Sequence, residues 1–276
     1  MKAMLQEIVR QGSNPAQCRS LAREYLQARI LLSLQDSGAF SNWAFLGGTA
    51  LRFLYRLPRY SEDLDFSLWP RNADLKFDKT VSLVQRDLEG ESYSVDIKVR
   101  DRSAVATALV RFRDLLYELD LSNHRGEVLS IKIEIDKNPP KGAGVETKII
   151  RRHVLLHLLH YNPASLFAGK LHGVLMRKYT KGRDLYDLAW YLSSPEWPEP
   201  NLGQLNNALL QTGWDGPAAT EKNWRQLVRD KLDQMDWKQA LADVSPFLES
   251  PQDTELISKE VLLSLLESFE EKGNNP

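Results

Sequence analysis

Phe45-Leu46-Gly47-Gly48-Thr49-Ala50-Leu51-Arg52-Phe53-Leu54-Tyr55-Arg56-Leu57-Pro58-Arg59-Tyr60-Ser61-Glu62-Asp63-Leu64-Asp65-Phe66-Ser67-Leu68 is the stretch on which the reading of this chain turns. A short apolar run, Ala44 to Leu46, stops at Gly47-Gly48, and an apolar-periodic segment runs from Thr49 to Leu57 before Pro58. That is the pattern of a strand, a glycine turn and a helix. Glycines at such a junction let the backbone approach a bound group. The free N–H groups of the helix start, with Thr49 beside them, are expected to face outward as donors for phosphate. In Ser61 to Leu68, alternation puts Ser61, Asp63, Asp65 and Ser67 on one face of a strand and Leu64, Phe66 and Leu68 on the other. The two aspartates are then roughly 6.5 to 7 Å apart at Cα, close enough to share one cation or a pair. Mg²⁺ favours a few carboxylates together with substrate phosphates, and a pair of such ions can activate an attacking oxygen and stabilise a leaving one.

A Gly-Gly turn is common and Asp-x-Asp recurs by chance, so neither piece is specific alone. Their order and spacing are. The stretch resembles the opening motif of the nucleotidyltransferase superfamily, in particular the AbiEii/AbiGii toxin family with its MenT relatives. In that family a Gly-Gly-Thr-Ala-Leu turn and an Arg-x-Ser-x-Asp-Leu-Asp strand recur, and Arg59 to Asp65 fit the second element.

Working outward, residues 16 to 36 carry Leu21, Tyr25, Leu26, Ile30, Leu31 and Leu34 at helical spacing, a packing helix. After the aspartate strand, Asn72 or Asp74 is the expected cap of a helix through Leu88. Strands are expected at Tyr93–Val99, Ala106–Phe112 and Val128–Asp136. In the last of these the isoleucines of Ile131-Lys-Ile-Glu-Ile-Asp136 share one face and Lys132, Glu134 and Asp136 the other. A strand with one charged face is commonly just exposed sheet. In nucleotidyltransferases, however, a third carboxylate comes from a neighbouring strand further along the chain, and a Lys-Ile-Glu-Ile run is typical of these toxins. The resemblance implies Glu134 as that third carboxylate, with Asp136 second.

Lys137 to Gly144, with two prolines and two glycines, is the clearest break, and divides the chain into an expected domain 1–144 and a second, 145–276. Arg152 to Tyr161 fits a strand or a short helix equally. As a helix it would align His153, His157 and His160, but no carboxylate or cysteine completes a zinc site there. Asn162-Pro163 marks a helix start. The helix Ala164–Lys178 carries Lys170 and Arg177 on one face, and a further helix from Arg183 to Leu192 can place Arg183, Asp184 and Asp187 together. This pair of helices resembles the family's downstream signature, a lysine helix leading into an Arg-Asp-x-x-Asp-Leu helix. The resemblance implies that Lys170 and Asp184 or Asp187 are needed for activity. Trp197, Trp214, Trp224 and Trp237 sit among later helical runs and are read as core rather than as a base-stacking platform.

Composition narrows the partners. Lysine plus arginine number 36 against 37 acids, a net charge of −1, so any nucleic acid must be held by a local patch; Lys148–Arg152 and Arg177–Arg183 are the candidates. Cys18 is the only cysteine, which removes intrachain disulfides and thiolate clusters. No apolar run is long enough to span a bilayer and the first residues lack a secretory core, so a cytoplasmic protein with no membrane partner is expected.

The expected fold is α+β. A nucleotidyltransferase-like mixed sheet carries the carboxylates on one face and helices on the other, and a mainly helical C-terminal domain completes the active-site cleft. The expected chemistry is transfer of a nucleoside monophosphate from a nucleoside triphosphate to an acceptor, with release of pyrophosphate (EC 2.7.7.-). Asp63, Asp65 and Glu134 would hold Mg²⁺, or Mn²⁺ in its place. Gly47, Gly48, Thr49, Arg59, Ser61, Lys170, Arg177 and Arg183 would bind the nucleotide. The family implies an RNA acceptor, notably the tRNA 3′ end, toxicity, and a cognate antitoxin protein. The alternatives are nucleotidylation of a protein, a non-catalytic nucleotide-binding regulator, and a metal-dependent glycosyltransferase. The last explains the carboxylates but not the Gly-Gly-Thr turn before them.

Overall fold

Apolar and polar residues alternate along the expected strands, and in the computed structural model, which describes residues 2–194 and 196–273, those strands build one mixed sheet. Among the described residues its members are β1 (Trp43–Leu46), β2 (Leu64–Leu68), β3 (Val95–Arg100), β4 (Val105–Phe112), β5 (Leu129–Asp136), β6 (Val145–Arg152) and β7 (Val154–Tyr161). They lie in the spatial order β3-β4-β5-β2-β1-β7-β6. β2 runs parallel to β5 and β1 parallel to β7, while β1–β2, β3–β4 and β4–β5 are antiparallel.

The helices of this first unit are α1 (Lys2–Val9), α2 (Pro15–Asp36), α3 (Gly47–Tyr55), α4 (Phe77–Gly90) and the short α5 (Leu115–Glu118). α2 starts where Asn14 accepts a hydrogen bond from the Gln17 N–H and Pro15 occupies the first turn. Its apolar stripe, Leu26, Ile30 and Leu34, is buried in one cluster with Val81, Val84 and Leu88 of α4, Ala106, Ala108, Val110 and Phe112 of β4, and Ile131, Ile133 and Ile135 of β5. Helices thus cover the apolar side of the sheet, as expected, and the face bearing Lys132, Glu134 and Asp136 is the other one. α4 begins later than Asn72 or Asp74 would place it. Lys76, in a left-handed conformation, precedes it, and neither expected cap is used.

Glu24 of α2 is a buried acid inside this unit. Arg152 donates to both its oxygens at 3.0 Å, Arg52 pairs with it, and His153 lies 3.1 Å away. Burial alone would raise its pKa; His153, Arg52 and Arg152 outweigh that and bring it from 4.5 to about 2. A carboxyl whose folded pKa is depressed contributes stability that is fully present above pH 4.5 and lost as the pH falls through about 2. The expected result is a fall in unfolding free energy across that window in urea titrations, flattened in Glu24→Gln.

The second unit comprises Leu57–Arg59, Pro140–Val145 and Tyr161–Pro276. The chain therefore does not divide once at 144. Residues 146–160 belong to the first unit, because β6 and β7 pair into its sheet, and the Pro/Gly-rich break is an excursion from which the chain returns. Val154 to Tyr161 resolves as strand, with His153 in the bend before it, His157 exposed and His160 buried. The second unit is helical: α6 (Pro163–Met176), α7 (Gly182–Ser193), α8 (Leu202–Gln211), α9 (Trp224–Leu232), α10 (Trp237–Val244) and α11 (Lys259–Gly273). Asn162 caps α6 by accepting from the Ser165 N–H at 3.0 Å. Phe167 stacks on Tyr191 at 4.7 Å and meets Trp224 edge-on at 5.7 Å, and Trp197 packs on Tyr191. Trp197 and Trp224 are buried, so they are core. Gly182 opens α7 directly against the Ala240 carbonyl of α10, where any Cβ would overlap it.

Candidate active site

The parallel register of β2 and β5 sets Asp65 beside Glu134 and Ser67 beside Asp136. Neighbouring strands lie about 4.8 Å apart and registered partners present side chains to the same face, so Asp65 and Glu134 are lateral neighbours. Asp63 lies just before β2. The Lys132 ammonium is 2.9 Å from a Glu134 oxygen and 3.4 Å from Asp63 Oδ2, so one cation already touches both carboxylates. Burial raises the Asp63 pKa; Lys132 opposes this, and the charges of Glu134 and Glu62 add to it. For Lys132, burial acts downward, and its bonds to Glu134 and Asp63 outweigh it to raise the pKa. Asp136 accepts from the Asn138 N–H at 2.8 Å, two residues beyond the acidic pair. Among the described residues no three His, Cys, Asp or Glu side chains are gathered as a ready metal cluster. What is gathered is Asp63 and Glu134 on one ammonium, with Asp65 alongside. Lys132 was on the charged face in the sequence pattern, yet its bridging position depends on strand pairing.

The glycine turn positions Asp65. Leu46 is registered with Asp65 across β1–β2, and Gly47, at φ 81°, follows it. A Cβ on Gly47 would strike Asp65 Oδ2 and lie 3.1 Å from its Cβ and Cγ. Glycine is needed both for the left-handed backbone and for the room the carboxylate occupies. Gly47→Ala is expected to destabilise the protein by about 1–2 kcal/mol and, by displacing Asp65, to lower catalytic turnover about a hundredfold. Urea unfolding and steady-state rates check the two parts.

Thr49 departs from expectation. It is fully buried and its hydroxyl donates to the Asp63 carbonyl, so it locks the segment entering β2 instead of offering its side chain to phosphate. Gly48 is buried and Gly47 half-buried at the start of α3. Ser61 is half-buried, and its carbonyl and that of Glu62 both accept from Gln27 Nε2, at 3.0 and 2.9 Å. Gln27, on a helix far back in sequence, gave no local sign of this task.

In the second unit α6 and α7 gather Lys170, Arg177, Asp184 and Asp187. Lys170 Nζ lies 2.6 Å from Asp187 and 3.3 Å from Asp184, and Arg177 Nε is 2.6 Å from Asp184. Arg59 joins them, forking onto both Asp187 oxygens at 2.6 and 2.7 Å. Burial works against charge at Asp184, but Lys170, Arg177 and Lys181 bring its pKa down to about 2. Burial likewise opposes the Lys170 charge, and Asp187 and Asp184 raise its pKa despite it. Three cations, Arg59, Lys170 and Arg177, thus pair with two carboxylates, and Lys181 adds its charge nearby. Arg59 is buried in this pairing, so its guanidinium is directed to Asp187 and not to a nucleotide. Arg183 does not join the cluster: it lies 3.6 Å from Asp243 and over the Phe247 ring.

The sequence pattern of the family described as nucleotidyl transferase AbiEii toxin, type IV TA system, matches residues 29–273. The chain belongs to this family. It is thus an AbiEii-type nucleotidyltransferase toxin of type IV toxin–antitoxin systems, a class with a nucleotide substrate and a cognate antitoxin. Two solved structures share the fold of this AbiEii protein. One is a protein of H. pylori described as a candidate nucleotidyltransferase, 19% identical with a TM-score of 0.55, covering 92% of this chain and 95% of its own. The other is JHP933 of Helicobacter pylori, 19% identical with a TM-score of 0.54, covering 92% of each chain. No curated protein matches this AbiEii chain. Among its described residues no helix is long and apolar enough to cross a membrane.

Proposed function

We propose that this protein transfers a nucleoside monophosphate from a nucleoside triphosphate to RNA, the tRNA 3′ end first among acceptors, with Mg²⁺ held by Asp63, Asp65 and Glu134. The acceptor hydroxyl oxygen forms a bond to the α-phosphorus, the bond from that phosphorus to its bridging oxygen breaks, and pyrophosphate leaves. Such a reaction asks mainly for positioning and charge neutralisation, which agrees with a site made of carboxylates, a glycine turn and cations. The donor set fits the metal in kind, since Mg²⁺ prefers carboxylate oxygens. Two of the three, Asp63 and Glu134, already share one cation, the Lys132 ammonium. When bound, the ion would neutralise triphosphate charge and activate the acceptor oxygen. Gly47 keeps the space in which Asp65 stands, and Thr49 and Gln27 hold the segment entering β2.

The observation that carries this reading is the registered pairing of Asp65 with Glu134 across two parallel strands. Incubation with α-labelled nucleoside triphosphates, Mg²⁺, total RNA and total protein tests it. Label entering RNA is expected; label entering protein alone would replace RNA as the acceptor, and label in neither would remove the enzyme.

Lys132 provides a test independent of turnover. Lys132→Met leaves Asp63 and Glu134 without their shared counter-charge, so the metal-free variant should melt about 2–4 °C lower for each kcal/mol of stability removed. Mg²⁺ should then raise its melting temperature more than that of the parent. An equal Mg²⁺ response in both proteins would contradict metal binding at this pair.

A further inference from the structure

The sheet face that carries the carboxylates does not end at β5. Pairing continues it sideways: Glu134 is registered with Thr107 of β4, and Thr107 with Arg100 of β3, so Asp65, Glu134, Thr107 and Arg100 stand in one row across four strands. The next row holds Lys132, Leu109 and Lys98. Alternation confirms the facing, because Ala106, Ala108, Val110 and Phe112 of β4 are buried and Val95 and Ile97 of β3 pack against the same core. Arg100 lies two strand spacings, about 9–10 Å, from Glu134, and its side chain can cover part of that distance.

These cations differ from most of the basic residues in the patches that composition suggested. Lys98 and Arg100 are exposed, as is Arg102 in the turn that follows, and among the described residues none of the three forms an ion pair. Their acidic neighbours are already engaged: Asp96 pairs with Arg111 and Arg113, and Asp101 with Lys137. The patches that composition suggested are mostly occupied. Lys148 lies over Tyr55 and donates to the Leu54 carbonyl, Arg152 pairs with Glu24, Arg177 with Asp184 and Arg183 with Asp243. In a chain with a net charge of −1, a group of exposed cations outside any ion pair on and just beyond the strand that continues the carboxylate row is a local feature of the sheet and not a consequence of composition.

We infer that Lys98, Arg100 and Arg102 form a phosphate track for a single-stranded RNA end whose terminal hydroxyl is presented at Asp63, Asp65 and Glu134. The inference rests on the RNA-transfer reading above and locates the acceptor on the edge of the sheet. Phosphate oxygens are the complementary partner for exposed, unpaired lysine and arginine, and the small Thr107 between Arg100 and Glu134 leaves the face low enough for a strand to cross. Phosphate pairing of this kind positions the chain without reading its bases, so the track should be tolerant of sequence.

The full-length protein and its Lys98→Gln/Arg100→Gln/Arg102→Gln variant are compared in two assays. The first is binding of a fluorescein-labelled oligoribonucleotide across a salt series; the second is transfer of α-label into total RNA. The variant is expected to bind at least about tenfold more weakly, with a log–log salt slope shallower by about 0.7 for each phosphate that is no longer neutralised. Its KM for RNA should rise while its KM for nucleoside triphosphate and its melting temperature stay as in the parent, since all three side chains are exposed. If the parent labels RNA and the variant binds and labels it equally well with the same salt slope, the track is wrong and the RNA reading survives. If the parent labels only protein, both fail.

Discussion

Asp65→Asn is expected to lower nucleotide transfer about a thousandfold or more while moving the melting temperature little. A metal-held phosphoryl site owes several kcal/mol of transition-state stabilisation to the charge its ligands hold in place, and each 1.36 kcal/mol is a factor of ten in rate. Asparagine keeps the shape beside Gly47 and Glu134 but gives up the charge. Glu134→Gln should fall by a similar factor. Asp136→Asn should not, because Asp136 is registered with Ser67, one row beyond the acidic pair, and bonds to Asn138. Steady-state rates with α-labelled nucleotide decide the matter: equal losses at Asp136 and Glu134, or none at Asp65, would overturn the assignment.

Asp187→Ala is expected to have the largest effect on stability, about 3–5 kcal/mol. The side chains of Arg59 and Asp187 are 3% and 0% exposed, and the aspartate also receives Lys170. Removing it takes from the buried Arg59 guanidinium the carboxylate it forks onto and from Lys170 the nearer of its two carboxylates, which costs more than the pair contributes. The double change Arg59→Met/Asp187→Leu should recover much of the loss, since apolar replacement of a buried ion pair is often neutral or better. Urea unfolding of the single and double variants checks both statements. A single variant as stable as the parent would mean that the cluster relaxes toward water.

Much of this was readable in the chain because it depended on short-range patterns. The strand, glycine turn and helix around Gly47, the alternation of Asp63 and Asp65, and the Asn162 cap are local chemistry, and each is found where the residues put it. The resemblance carried Glu134, Lys170, Asp184 and Asp187 to positions that the fold brings into two clusters. Long-range pairings were hidden. Nothing near Arg59 announces a partner 128 residues away, nothing near Thr49 announces that its hydroxyl turns to Asp63, and nothing in Arg183 distinguishes Asp243 from Asp187 as its partner. The break at 137–144 looked like a domain boundary because prolines and glycines mark departures from regular structure, while the return of β6 and β7 to the sheet is a matter of pairing. Edge-strand cations such as Arg100 carry no local sign of their position, because their place in one row with Glu134 arises only through two successive registers.

The most direct test supplies the same nucleoside triphosphate labelled at the α-phosphate in one reaction and at the γ-phosphate in another, with Mg²⁺ and total RNA. Label should enter RNA from the α position only, with the γ label recovered as pyrophosphate, and both signals should vanish in Asp65→Asn. Label arriving from the γ position, or α transfer that persists undiminished in Asp65→Asn, would contradict nucleotidyl transfer at these carboxylates.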